Sequence, residues 1–151
     1  MATLHLMVGL PCSGKTTRAK ELEKEHSALR LTPDVWQVQL FGNDVAHPDH
    51  DSRHTQIEQI MWSVAKRVLE MGGDVILDFG FWSRAEREDF RRRAEALGAD
   101  FQLHFMDVPE EELFRRLEIR NQDPLESFSF PAEDLKQYIG QFERPAPEEL
   151  Q

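Results

Sequence analysis

The sequence predicts an α/β fold, a three-layer sandwich in which a small parallel sheet of four or five strands lies between helices. Three observations carry this. The short apolar runs TLHLMV (3–8), ALRLT (28–32), DVILDF (74–79) and FQLHFMDV (101–108) are separated by helix-length segments, and strands spaced that way pair in parallel through right-handed crossovers. The first run is almost wholly apolar, as a strand buried on both faces requires. Directly after it stands VGLPCSGKTT (8–17), a glycine-bearing turn leading into a helix.

Each element has its own local signal. A helix opens inside GKTT and runs to about Glu25. Thr32-Pro33 reads as an N-cap followed by proline at the first helical position, starting a helix through DVWQVQLF. Residues 42–54, GNDVAHPDHDSRH, are polar and read as a solvated loop near a substrate mouth. Its His47, Asp49, His50, Asp51 and His54 match no zinc spacing. From Ile57 the apolar positions Ile57, Ile60, Met61, Val64, Val68 and Leu69 follow helical spacing up to Gly72-Gly73. Ser83 with Glu86 forms a capping box for a helix to about Leu97. EEELFRRLEIRN predicts the next helix and Pro131 to Phe142 the last, with a short lid loop at about 121–130 between them and an irregular tail.

The 151 residues, without repeat or linker, bound a single domain over 1–151. No apolar run nears the roughly 20 residues a bilayer crossing needs, and the apolar start reads as a strand, not a signal peptide. The lone Cys12 excludes an internal disulfide framework and fits a reducing, cytoplasmic setting. With 18 basic against 28 acidic residues the net charge is −10, which counts against broad nucleic-acid binding.

In open parallel sheets ligands sit beyond the carboxyl ends of the strands, so residues just after each strand are the candidates. Gly9-Leu10-Pro11-Cys12-Ser13-Gly14-Lys15-Thr16 fits G-x-x-x-x-G-K-[ST]. Its glycines let successive N–H groups turn inward around a phosphate, and the following helix, with Thr17 in its first turn, aims its unpaired N–H groups at the same anion. Lys15 places a point charge on the outer phosphates, and the Thr16 hydroxyl is positioned to ligate Mg²⁺. This loop makes the expected fold P-loop NTPase-type.

Asp34, just past the second strand, is either a helix-favouring acid or a carboxylate placed to accept a proton from a substrate hydroxyl. Asp78 ends an apolar strand, where an unpaired carboxylate is costly; holding Mg²⁺ or orienting Thr16 gives it a task. Arg116 and Arg120 share a helix face and are candidates for a clamp on a transferring phosphoryl group, with Arg120, nearest the loop, the stronger one. Arg84 and Arg87 are candidates for substrate or phosphate contacts, and Phe79, Phe81 and Trp82 for lining an acceptor pocket.

Through GLPCSGKTT, LTPD, VILDFGFWSRAER and DVPEEELFRRLEIRN, the chain resembles the small P-loop (Walker A) kinases that include chloramphenicol phosphotransferase, zeta-toxin-like kinases and the 5′-kinase domain of polynucleotide kinase. It looks most like the short bacterial stand-alone ATP-binding kinases. The resemblance implies ATP and Mg²⁺ as nucleotide and cofactor, with phosphoryl transfer to a hydroxyl. It places Asp34 as the base, Asp78 at the third-strand acidic position, and Arg116 and Arg120 in the lid region. Two departures stand out: Cys12 where relatives often carry glycine, and Gln37 where many carry arginine, which makes Gln37 a candidate substrate contact, with Trp82, and implies a less anionic acceptor. The expectation is therefore an ATP-dependent kinase acting on a small molecule. Its alternatives are a nucleic-acid 5′-end kinase and an ATPase switch acting through a protein partner.

Overall fold

The computed structural model describes residues 1–122 and 128–150. The chain runs β1 (Thr3–Val8), α1 (Lys15–His26), β2 (Leu29–Leu31), α2 (Pro33–Phe41), α3 (His50–Glu70), β3 (Val75–Gly80), α4 (Arg84–Ala96), β4 (Asp100–Phe105), α5 (Glu110–Gln122) and α6 (Ala132–Gln141), with a 3₁₀ turn at Pro147–Leu150. The four strands form one sheet in the order β2-β3-β1-β4, every pair parallel, with His5 opposite Ile76 and Gln102. The fold is the expected α/β sandwich.

Alternation along the strands explains the layers. On one face Leu4, Leu6, Val8, Val75 and Leu77 pack against Ile57, Met61, Ala65 and Leu69 of α3 and Phe90 and Ala94 of α4. On the other, Met7 and Ile76 meet Ala19 and Leu22 of α1. A third cluster joins Cys12 to Leu113 and Leu117 of α5, Leu135 of α6, and Phe128 and Phe130. β1 and β3 are thus covered on both faces, as their nearly unbroken apolar runs required. Burying a side chain of that size is worth about 1.5–3 kcal/mol.

Two expectations about irregular segments are overturned. Residues 50–54 are not loop: α3 begins at His50. Its first turn turns His50 and His54 inward, and an apolar period cannot register polar residues. The tail is not wholly irregular either. Its 3₁₀ turn buries Glu149, whose Oε1 accepts from Arg87 Nε at 2.8 Å. The lid loop expected at 121–130 lies in part outside the described residues; of its described part, 121–122 close α5, and Phe128 and Phe130 are buried.

Candidate active site

The loop between β1 and α1 is shaped by backbone demands. Gly14 has φ +89° and Cys12 φ +70°, a region an L-residue enters at a cost of about 1–2 kcal/mol. A Cβ on Gly9 would lie 2.7 Å from Ser13 Oγ. The loop is also tied to the end of β3: Gly9 N–H donates to Gly80 O at 3.0 Å, and the Trp82 indole N–H donates to Gly9 O at 3.2 Å. Gly80 must be glycine, because a Cβ there would meet Trp82 Nε1 at 3.2 Å and Gly9 O at 3.3 Å, at φ +94°. Phe81, buried at φ +46°, stores further backbone strain beside it.

Asp78, 5% exposed, collects the hydroxyls around this loop. Its Oδ2 accepts from Thr16 Oγ1 at 2.7 Å and from Thr32 Oγ1 at 3.1 Å. Thr32 therefore spends its hydroxyl on the neighbouring strand and makes no side-chain cap on α2. Among the described residues, Asp78 Oδ1 is buried with no hydrogen-bond partner. An unpaired carboxylate oxygen in that position is costly unless a cation or water meets it, so Thr16 and Asp78 together fit a divalent ion with oxygen ligands such as Mg²⁺. Lys15 Nζ donates to Leu10 O at 3.0 Å; burial lowers its pKa, with Asp78 and Asp34 acting against that shift.

A cavity of about 710 Å³ opens from this loop. Its phosphate end carries Lys15, Thr16, Asp78 and Arg120. It is also lined by Asp34, Asp51, His54, Glu58, Glu86 and Asp134, with Trp82 and Tyr138 as aromatic walls whose rings stand 5.1 Å apart. Asp34 is half exposed, and His54 Nδ1 lies 3.9 Å from its Oδ1. Burial lowers the His54 pKa, yet the net shift is upward, because Glu58 accepts from its Nε2 at 3.4 Å and Asp34 and Asp51 add negative charge. Burial, reinforced by Glu58, pushes Glu86 up to about 7.

Residues 4–145 match the AAA domain family AAA_33. The chain belongs to the AAA_33 family. The likeness to small P-loop kinases read from the sequence holds with it. No curated protein matches the chain. Among solved structures, a chain of the Pnkp1/Rnl/Hen1 RNA repair complex superposes with TM-score 0.73 at 23% identity, over 93% of this chain and 43% of that one. The AAA_33 domain thus spans under half of that neighbour's length. Kti12 of Chaetomium thermophilum, in complex with ADP-AlF3, gives TM-score 0.75 at 21% identity over 96% of this chain and 82% of its own. A gluconokinase from Sinorhizobium meliloti gives 0.68 at 15% identity over 97% and 78%. At such identities the likeness is one of fold.

Several sequence candidates lie elsewhere in this AAA_33 domain. Arg116 does not line the cavity. It braces the loop from outside, donating from Nη1 to Cys12 O at 3.1 Å and from Nε to Glu112 at 3.0 Å. Arg84 is exposed and faces Glu148. Arg87 is 1% exposed and spent on Glu149 and on Phe81 O, to which its Nη1 donates at 2.9 Å. Gln37 is buried: its amide N–H groups go to Asp44 and His50 O, and its Oε1 faces His54 Nδ1 at 2.9 Å. Neither its charge nor its reach fits an acceptor contact. Asp44, at the centre of this knot, is buried, yet hydrogen bonds from His50, Gln37 and Arg53 hold it down to about 2. Of the contact candidates Gln37, Arg84, Arg87 and Trp82, only Trp82 lines the cavity, beside the pocket candidates Phe79 and Phe81. Asp51 and His54, expected in a solvated loop near the substrate mouth, line the cavity from α3, whereas Glu58, Glu86, Asp134 and Tyr138 carry no role in the sequence reading of the site. The i, i+4 spacing of His50, His54 and Glu58 was the signal available for part of them.

Proposed function

We propose that the domain is an ATP-dependent phosphotransferase that moves the γ-phosphoryl group to a hydroxyl of a small, neutral or cationic acceptor. One observation carries this reading: Asp34 shares a single cavity with Lys15, Thr16, Asp78 and Arg120. The loop amides and Lys15 hold the phosphates. Asp34 takes the proton of the acceptor hydroxyl, whose oxygen then bonds to the γ-phosphorus as the bond to the bridging oxygen breaks and ADP leaves. Arg120 and Lys15 stabilise charge on the transferring group, the kind of positioning and charge stabilisation on which phosphoryl transfer depends. Thr16 and Asp78 would hold Mg²⁺, which when bound neutralises charge on the outer phosphates.

The acceptor end supports the choice of acceptor. Asp34, Asp51, Glu58, Glu86 and Asp134 surround it, a field that repels a polyanion and attracts a hydroxyl compound bearing an amine. A 5′-end kinase reading, suggested by the RNA repair neighbour, meets the same repulsion. The test is a screen of sugars, amino alcohols and 5′-hydroxyl oligonucleotides with γ-labelled ATP, with Asp34→Asn as control. Transfer to an uncharged or amine-bearing alcohol, lost in the variant while ATP affinity persists, supports the reading. Transfer at an undiminished rate in the variant removes Asp34 as base, and labelling of oligonucleotides alone replaces the acceptor.

A further inference from the structure

Away from the phosphate loop, towards the amino ends of β1 and β3, a second group of ligating side chains converges under the last turn of α1. His5 on β1 is 1% exposed and lies on the sheet face that α1 covers. Its Nδ1 is 2.9 Å from His104 Nε2, on the adjacent strand β4. Its Nε2 is buried and has no hydrogen-bond partner among the described residues. His26, in the last turn of α1, lies beside it with ring centroids 5.0 Å apart and the rings tilted by 36°. Asp74, just before β3, is held by the Thr3 N–H at 2.8 Å through one carboxylate oxygen. One ligand atom from each of His5, His26 and Asp74 lies within 4.8 Å of the others.

We propose that His5, His26 and Asp74 form a binding site for a divalent transition cation of the zinc class. Two imidazoles and a carboxylate are the donor set such an ion prefers, and one that Mg²⁺, which takes oxygen ligands, does not. In the tautomer whose Nδ1–H donates to His104, the neutral His5 ring leaves its unpartnered Nε2 lone pair free for the ion; bonding of the second ring nitrogen to a neighbour is the usual support for a metal-binding histidine. The Thr3 N–H supports Asp74 in the same way. Tetrahedral bonds of about 2.0–2.1 Å put ligand atoms about 3.3 Å apart, so the group must close by about 1.5 Å at most. His26 is exposed and Asp74 half-buried, which leaves both freedom to move and a way in for the ion. A bound ion would tie the end of α1 to β1 and β3, and it would satisfy the one buried ring nitrogen that the fold leaves unpaired there.

The test is calorimetric titration of the tag-free full chain with Zn²⁺ in excess Mg²⁺, which occupies any oxygen-ligand site at Asp78. The expected result is saturable one-to-one binding with a rise in Tm. His26→Ala, at an exposed position that folding does not need, should weaken binding at least tenfold and abolish the Tm rise. His104→Gln should weaken binding tenfold to a hundredfold, the usual effect of removing a supporting partner. Absence of one-to-one uptake overturns the proposal. So does uptake that is unchanged in His26→Ala and in His5→Gln, since the ion would then reside on other histidines such as His47, His50 or His54.

Discussion

The two ends of the cavity are built on different plans. The part we assign to the phosphates is built mainly from one contiguous stretch, Gly9 to Thr17, joined by Asp78 and Arg120; its chemistry lies in backbone N–H groups and a few side chains locked by neighbours: Thr16 on Asp78, Gly9 on Gly80 and Trp82. The part we assign to the acceptor consists of single side chains from distant positions, Asp34 from α2, His54 and Glu58 from α3, Glu86 from α4 and Asp134 and Tyr138 from α6. On the proposed reading, the backbone cradle fixes the reaction that can be run, while the scattered side chains select what it is run on. That division should appear in kinetics. Lys15→Ala should cost about a thousandfold or more in transfer and weaken nucleotide binding, since charges on the transferring group are worth about 10³ to 10⁵ in rate. Asp34→Asn should lower kcat by about 10² to 10⁴ and leave nucleotide affinity unchanged, as loss of a positioned base does. Nucleotide titration followed by single-turnover assays separates the two, and an Asp34 variant that no longer binds ATP would erase the division.

Both ends rest on a joint that neither advertises. Arg87 pairs with Glu149 with both side chains almost wholly buried, at 1% and 2% exposure, and also holds the carbonyl of strained Phe81. Removing one member of a buried ion pair strands the other charge, so Glu149→Ala should destabilise the fold by about 3–5 kcal/mol. Chemical denaturation at neutral pH measures it. Because Phe81 follows directly on Gly80, which accepts from Gly9, the surviving folded fraction should also bind nucleotide more weakly. A stability loss under about 1 kcal/mol would mean that the tail is not part of the frame.

How far each plan can be read from sequence follows from how it is built. The phosphate loop was legible residue by residue because its constraints are local: glycines where φ is positive, a lysine and a hydroxyl at fixed spacing. The strands and most helices were legible for the same reason, including the Ser83 cap, whose Oγ accepts from Glu86 N–H at 3.1 Å. The acceptor end was largely hidden. His50 and His54 face inward from a turn with no apolar period, and Glu149 lies 62 positions from the arginine that makes it structural. Arg87, from its charge near a strand end, and Gln37, from its place in the family pattern, read as substrate contacts because neither signal says whether a partner elsewhere consumes the side chain.

The acidity of the acceptor end should also be visible in stability against pH. Glu86 titrates at about 7 in the folded chain, because burial and then Glu58 oppose its charge, against an ordinary carboxyl value near 4.5. Between those values the folded state keeps a proton that the unfolded chain has released, so stability falls as pH rises from about 4.5 to 7 and flattens above it. After allowance for solvent screening the fall attributable to this group is about 1–2 kcal/mol. Glu86→Gln should remove that part of the slope in denaturation curves taken between pH 5 and 7.5. An unchanged slope would place the acidic pressure on other groups and weaken the case for an acceptor that brings its own positive charge.

The smallest effect tests the phosphate end most directly. Cys12 sits at φ +70° where glycine would be unstrained, yet its thiol is buried against Leu113, Leu117 and Phe128. Burial pushes the thiol pKa up, against the pull of Arg120, Lys15 and Arg116, so it stays protonated and serves as a small packing group. Cys12→Gly relieves about 1–2 kcal/mol of backbone strain. It gives back about 1 kcal/mol of burial and about 0.5–1 kcal/mol of unfolded-chain entropy. These offset, so the variant should match the parent in stability to within about 1 kcal/mol and bind nucleotide with the same affinity. A loss above about 2 kcal/mol, or a change in affinity, would show that this loop depends on a side chain as much as the acceptor end does.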